Sequence, residues 1–344
     1  MAAERLPAFD DPVDPPAPGS PWSVLRLLRW STRYLGERGI ESARLDVEHL
    51  LAHVLGMSRL ELYLAFERPL EPEELARFKP LLLDRAKRRP LQYVLGTAAF
   101  RELELEVDER VLIPRPETEE LVEAVLARVR EWGRSGLSVL DVGTGSGAIA
   151  LSLALEGPFG RVVGSDRSAD ALELARRNAA RLGLERVHLD WREGDLLEVV
   201  AEGERFDVLV SNPPYVGENE VGALEPEVRE WEPREALVAP RAGLELLVRL
   251  VEGAPAVLAP GGLLALELGA GQAAEIEGAV RATPGLGAPV VLRDLSRRDR
   301  ILIAEAIGTP GERTDGAETP RPSKAGTGSP RAPDLNAVGH GELE

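Results

Sequence analysis

The chain has 344 residues, 44% hydrophobic and 29% charged, the balance of an ordinary folded protein with room for about two domains. It contains no cysteine, which excludes disulfides, thiolate-bound zinc, iron–sulfur clusters and a cysteine nucleophile together. The formal net charge of −17 opposes the phosphate backbone of nucleic acid.

Residues 1–20 include Pro7, Pro12, Pro15, Pro16 and Pro18, whose fixed φ and missing N–H groups oppose helix and sheet, so a disordered leader is expected. This start lacks the basic and apolar blocks of a secretory signal, and no apolar run reaches the roughly 18 residues of a membrane span, so a cytoplasmic location is expected. Over 21–92 apolar residues recur at helical spacing, as in Val24, Leu27 and Leu28, then Leu50, Leu51 and Val54, then Phe78, Leu81 and Leu82. Breaks at Gly36, Gly39, Gly56 and Pro69 make this a small helical bundle. His49 and His53 stand one turn apart, without the glutamate that a zinc-peptidase helix sets beside its first histidine, and read as structural or surface groups. The basic run Arg85, Lys87, Arg88 and Arg89 reads as a helix end facing solvent and complementing the helix dipole, the alternative being contact with a protein or RNA partner.

Residues 93–114 form a linker, in which Phe100 to Val107 alternate apolar and charged residues, the pattern of a hairpin. The segment 115–307 begins with a helix running to about Trp132. Short apolar strands then alternate with helices: strands at 137–142, 161–166, 187–191, 206–211, 261–268, 289–293 and 300–306, helices at 147–156, 169–182, 243–258 and 271–282. Such alternation predicts a mostly parallel sheet covered by helices on both faces. Residues 308–344 lack aromatic and almost all large aliphatic side chains, so a disordered tail is expected.

Val139 to Gly147 reads VLDVGTGSG, a strand running into a turn of Gly143, Thr144, Gly145, Ser146 and Gly147 that opens a helix. Glycines there allow positive φ, and a helix N-terminus offers unpaired N–H groups. The pattern alone admits S-adenosylmethionine (AdoMet), NAD or FAD, or a plain tight turn. Asp141 and the GTGSG spacing favour AdoMet, because an acid repels a diphosphate and suits a ligand carrying an ammonium and a sulfonium. Asp166, ending the next strand, is placed to accept both hydroxyls of a ribose; its alternative is a helix cap, a role also open to Ser168. Asp195 and Leu196 follow the third strand, where a carboxylate can accept from an adenine amino group and the next residue can pack on the ring; a plain loop acid is the alternative.

Asn212-Pro213-Pro214-Tyr215 closes the fourth strand. Two prolines remove two N–H donors and force extended backbone before each, leaving outward acceptors. The Asn212 side-chain carbonyl and the Pro213 backbone carbonyl can accept the two N–H bonds of a planar amino group, with Tyr215 over its plane. A rigid turn is the bland alternative.

The GTGSG, Asp166 and NPPY series resembles amino-group methyltransferases of the class I AdoMet type, a group acting on nucleobases and protein amides alike. Residues 91–96 (LQYVLG), Phe100 and 112–119 (LIPRPETE), with 232–237 (EPREAL), 266–272 (LELGAGQ) and Asp299-Arg300, narrow the resemblance to the HemK family of protein-(glutamine-N5) methyltransferases, over about residues 22–305. It implies an α/β fold, a Rossmann-like seven-stranded sheet with its last strand antiparallel, joined by a β-hairpin to a small N-terminal helical bundle that docks a peptide chain release factor. It further implies AdoMet as cofactor, no metal, and the glutamine of a Gly-Gly-Gln loop as acceptor. By position, Gly143 to Gly147, Asp166, Leu196 and Asn212 would contact AdoMet, while Asn212, Pro213, Pro214 and Tyr215 would hold the glutamine; Asn212 and Pro213 are the catalytic pair. Phe100 and Arg115 take places near the site. A monomer without a nucleic-acid substrate is expected. The rival reading is a DNA or RNA adenine-N6 methyltransferase, which NPPY chemistry would serve equally; the acidic charge and the lack of a DNA-recognition module oppose it. No general base is evident.

Overall fold

The computed structural model describes residues 21–184, 187–239 and 243–307. The expected leader and tail, 1–20 and 308–344, lie outside the described residues.

Five helices come first: α1 (Val24–Gly36), α2 (Ala43–Leu55), α3 (Arg59–Leu64), α4 (Pro72–Ala86) and α5 (Leu91–Leu95). Their starts follow local chemistry. The Ser23 hydroxyl caps α1, Ser58 and Glu61 cap α3 reciprocally, and Pro72 opens α4, where its missing N–H costs nothing. Leu27, Leu35, Val47, Leu50, Phe78 and Leu82 close a core between these helices.

The basic run at the end of α4 departs from the solvated helix end expected of it. Arg85 is buried and donates to Asp46 on α2 at 2.6 Å and to Glu227 at 2.9 Å, while Arg88 donates to Glu227 at 2.6 Å. A guanidinium withdrawn from water requires such partners. Glu227 lies on α9 (Pro226–Trp231), so this corner pins the helical segment to the segment that carries the sheet.

β1 (Thr97–Phe100) and β2 (Leu103–Glu106) form the anticipated hairpin, with Phe100 opposite Leu103. Helix α6 (Pro116–Glu131) leads into the sheet: β3 (Leu137–Val142), α7 (Ala148–Glu156), β4 (Phe159–Asp166), α8 (Ala169–Leu182), β5 (His188–Glu193) and β6 (Phe206–Ser211). The chain continues through α9, α10 (Arg234–Leu237), α11 (Leu244–Val257), β7 (Leu258–Glu267), α12 (Ala273–Ala282), β8 (Val290–Arg293) and β9 (Asp299–Glu305). The sheet order is β5-β4-β3-β6-β7-β9-β8, parallel except for β9, which runs antiparallel to both its neighbours. Val139, Val208 and Val210 face a core with α6 and α7, whereas Leu140, Leu209 and Leu264 face α11 and α12. Burial on both faces explains the near-continuous apolar runs of β3 and β6. From β3 the chain order runs outward both ways, through β4 to β5 and through β6 to β7, so a crevice opens where β3 and β6 end. Helices α5, α9 and α10 were not foreseen; each is six residues or fewer, too short for a helical period to register.

Candidate active site

A cavity of about 510 Å³ occupies that crevice, at the carboxyl ends of β3, β4, β5 and β6. Its wall unites Gly143, Gly145, Asp166, Asp195, Leu196, Asn212, Pro213 and Pro214 from the sequence expectations. Thr144, Ser146, Gly147 and Tyr215 are not in the wall; the first three are buried behind it. Phe100 is fully buried in the sheet core and does not reach the wall. Arg115, also outside it, donates at 2.6 Å to the nearly buried Glu232.

The glycine turn is held from beneath. Gly143, Gly145 and Gly147 have φ of 73°, 56° and 84°, which side chains resist. The N–H groups of Gly143 and Thr144 both donate to the Ser165 carbonyl at 2.8 Å, that of Gly145 to Asp166 at 2.9 Å, and that of Gly147 to the Thr144 carbonyl at 2.8 Å. These donors are engaged within the protein, so the turn presents backbone surface to the cavity rather than the row of free N–H groups that its sequence suggested. Asp141 also departs from its reading as an acid facing a cationic ligand. It is fully buried, accepting from the Thr144 hydroxyl at 2.6 Å and the Ala150 N–H at 3.1 Å, and burial pushes its carboxyl up to about 7. It ties the turn to the first turn of α7.

Asp166 accepts from the N–H groups of Gly145 and Ser168, both at 2.9 Å, and burial raises its pKa despite those bonds. The cap of α8 is Ser168, whose hydroxyl accepts from the Ala171 N–H at 3.2 Å. Each Asp166 oxygen has capacity for a further hydrogen bond, which suits a vicinal diol. Asp195 is paired with Arg249 of α11 at 2.7 Å, and both line the cavity. Leu196, expected to pack on the ring, supplies apolar wall together with Leu112, Val238 and Leu246, of which Val238 and Leu246 lie outside every motif.

On the opposite side, the Ser211 hydroxyl donates to the Val142 carbonyl at 2.7 Å, binding β6 to β3 just where the prolines end the ladder. The Asn212 amide nitrogen donates to the Thr118 hydroxyl at 3.0 Å, and that hydroxyl donates to Glu267 at 2.7 Å. The Tyr215 hydroxyl donates to the other Glu267 oxygen at 3.3 Å. Burial pushes Glu267 up to about 7, with opposing contributions from Thr118, Arg300 and Tyr215. Burial, and then the Glu267 charge, push the Tyr215 hydroxyl up as well. Gly243 has φ +81°, and a Cβ there would lie 2.4 Å from the Tyr215 Cα, so only glycine lets α11 begin against this turn. Sequence reasoning missed Thr118, Glu267 and Gly243. The first two sit inside segments 112–119 and 266–272, but nothing in either segment links it to Asn212.

The cavity volume falls within the range of about 300–1,000 Å³ usual for small-molecule sites. A half-buried strand-end carboxylate, an apolar wall and a backbone turn fit the ribose, adenine and amino-acid parts of AdoMet.

A family model described as the PrmC N-terminal domain matches residues 26–96, and one described as a methyltransferase domain matches residues 134–283. A release factor glutamine methyltransferase of Geobacter sulfurreducens is 48% identical over 257 residues, 75% of this chain and 88% of that one. Its counterpart in Chlorobaculum tepidum is 45% identical over 292 residues, 83% of this chain and 98% of that one. A solved release-factor-specific protein-(glutamine-N5) methyltransferase of Alicyclobacillus acidocaldarius is 28% identical, covering 59% of this chain and 99% of that one, with a TM-score of 0.37. On the identity and coverage of its sequence relatives, the chain belongs to the family of release factor glutamine methyltransferases.

Proposed function

We propose that the chain methylates the side-chain amide nitrogen (N5) of the glutamine in the Gly-Gly-Gln motif of a peptide chain release factor, with AdoMet as methyl donor. The observation that carries this reading is that Asn212 and Pro213 share one cavity with Asp166, while the Asn212 amino group is engaged by Thr118. What Asn212 has left for an incoming amino group is its carbonyl oxygen.

AdoMet, when bound, supplies an electrophilic methyl on its sulfonium sulfur. Asp166 would accept the ribose hydroxyls and Leu196 would pack on adenine, with Asp195, fixed by Arg249, as partner of the adenine amino group. The backbone of Gly143 and Gly145 would cover the amino-acid part. An amide nitrogen is a weak nucleophile because its lone pair is delocalised into the carbonyl. Acceptors at Asn212 and Pro213 that hold both hydrogens localise that pair, aim it at the methyl, and stabilise the positive charge that develops on nitrogen. Transfer to the held nitrogen would leave the donor sulfur as a neutral thioether, and the surplus amide proton would pass to water, since the chain offers no evident general base.

Within this reading residues 21–92 dock the release factor, 93–114 link, and 115–307 carry the transfer. The chain acts as a cytoplasmic monomer on a protein rather than on nucleic acid. Its acidity supports this, and no helix among the described residues is long and apolar enough to cross a membrane. The test is transfer of labelled methyl from AdoMet to purified release factor, beside a Gln→Ala variant of its Gly-Gly-Gln loop and beside duplex DNA. Label on the wild-type factor alone is expected; label on DNA with none on the factor would reverse the substrate.

A further inference from the structure

A carboxamide has nearly the same shape either way round, and its orientation is decided by its partners. The orientation at Asn212 matters, because a substrate amino group brings only donors and is repelled by an Asn212 that presents its own NH2. Three groups from distant parts of the chain meet behind it. The Thr118 hydroxyl, 5% exposed, stands 2.7 Å from one oxygen of Glu267, which is fully buried, and 3.0 Å from the Asn212 amide nitrogen. Tyr215 holds the other Glu267 oxygen.

Resting on the reading of Asn212 as the acceptor of the substrate amino group, we propose that Thr118 and Glu267 are positioning residues, a one-way hydrogen-bond chain that fixes which end of the Asn212 carboxamide faces the cavity. Above about pH 7, where transfer and the amide signal are to be measured, Glu267 is a carboxylate that only accepts, so the single hydroxyl hydrogen of Thr118 goes to it. What remains on Thr118 toward Asn212 is a lone pair, which takes an N–H and refuses a carbonyl. The Asn212 amino group therefore turns to Thr118 and its oxygen to the cavity. The reversed carboxamide would set two acceptors against each other at a buried position, leaving both unsatisfied. Tyr215, donating from the far side, keeps the carboxylate from rotating away from Thr118.

Two substitutions separate hydroxyl from shape. Thr118→Val keeps the shape and loses the hydroxyl, whereas Thr118→Ser keeps the hydroxyl and loses a methyl. Thr118→Val is expected to lower kcat for methyl transfer about ten- to hundred-fold, the scale of losing one aimed hydrogen bond, with AdoMet affinity and the KM for release factor within a few-fold of wild type. Thr118→Ser is expected to recover most of the rate. A Thr118→Val enzyme that turns over like wild type, or a serine variant as slow as the valine one, overturns the proposal.

A second readout needs no turnover. The chain has four asparagines, so selective [15N]asparagine labelling resolves the Asn212 side-chain amide by NMR, assigned by its loss in Asn212→Asp. One of its protons should be shifted by hydrogen bonding and slow to exchange with solvent in wild type and Thr118→Ser, and lose both properties in Thr118→Val. An Asn212 amide signal unchanged by Thr118→Val also overturns the proposal. If wild type fails to methylate release factor while the amide signal behaves as stated, the substrate reading falls and the hydrogen-bond chain stands.

Discussion

On the glycine side of the cavity the bonds are short in sequence: Thr144 to Asp141 spans three residues, Ser168 to Asp166 two, and Gly145 to Asp166 twenty-one. On the asparagine side they are long, with Asn212 to Thr118 spanning 94 residues, Thr118 to Glu267 149 and Tyr215 to Glu267 52. The first side is a turn that two adjacent strands complete between them. The second exists only once α6, β6 and β7 have come together. Damage to the two sides should accordingly be separable, the first read in cofactor binding and the second in the rate of transfer.

The sharpest break is Asn212→Ala, expected to lower the single-turnover rate of methyl transfer about 100-fold or more while AdoMet affinity stays within a few-fold. A wild-type rate at saturating AdoMet would remove Asn212 from the chemistry. Gly243→Ala comes next. The added Cβ meets Tyr215 backbone at 2.4 Å in a left-handed conformation, a strain of about 1–3 kcal/mol, so turnover should drop about ten-fold and the melting temperature should fall. Calorimetric AdoMet titration should be close to normal, and a loss there equal to the loss of turnover would show the two sides to be one unit.

Asp166→Ala tests the other side. Removing a charged acceptor of two hydroxyls should weaken AdoMet about ten-fold or more, with kcat recovered at saturating cofactor; wild-type affinity would sink the ribose assignment. The linkage effect of Glu267 is smaller. Thr118 on α6, Tyr215 after β6 and Arg300 on β9 face it and lower its pKa, whereas burial and the Glu117 charge raise it, to about 7 in balance. The folded state thus holds this proton more tightly than the unfolded chain, so its contribution to stability falls as pH rises from the ordinary carboxylate range through about 7. Asp141, pushed up to about 7 as well, acts with the same sign. Denaturant midpoints between pH 5 and pH 8 should decline, and less so in Glu267→Gln; an equal decline in both proteins would contradict the assignment. Smallest is Arg88→Ala, which removes a partly exposed pair while Arg85 keeps Glu227, a loss of about 0–1 kcal/mol.

The same division by sequence distance governs what could be read in advance. Strands β3, β4, β6, β7, β8 and β9 were legible because each holds an apolar run, β5 (HLDWRE) only from its place in the strand–helix alternation, and Asp166 because it ends one of them. The asparagine motif was legible as a set of acceptors, but not the means of its support. Thr118 looks like a residue of a helix start and Glu267 like a strand-end acid until the sheet brings them to Asn212. Asp141 misled for a related reason: an acid beside a glycine turn reads as facing a ligand, yet the Thr144 hydroxyl and the Ala150 N–H draw it beneath the turn. The basic run misled because a helix end shows its charge in the sequence but not the burial that Glu227 and Asp46 make possible.

The central claim is that Asn212 and Pro213 present an amide nitrogen to the methyl group, and its most direct test asks which atom is methylated. Release factor incubated with AdoMet and the enzyme should be digested and sequenced by tandem mass spectrometry. The account predicts a single added methyl on the side-chain amide nitrogen of the Gly-Gly-Gln glutamine, and none at equal times with Asn212→Ala. A methyl on any other atom of the factor, or full modification by Asn212→Ala, would contradict it.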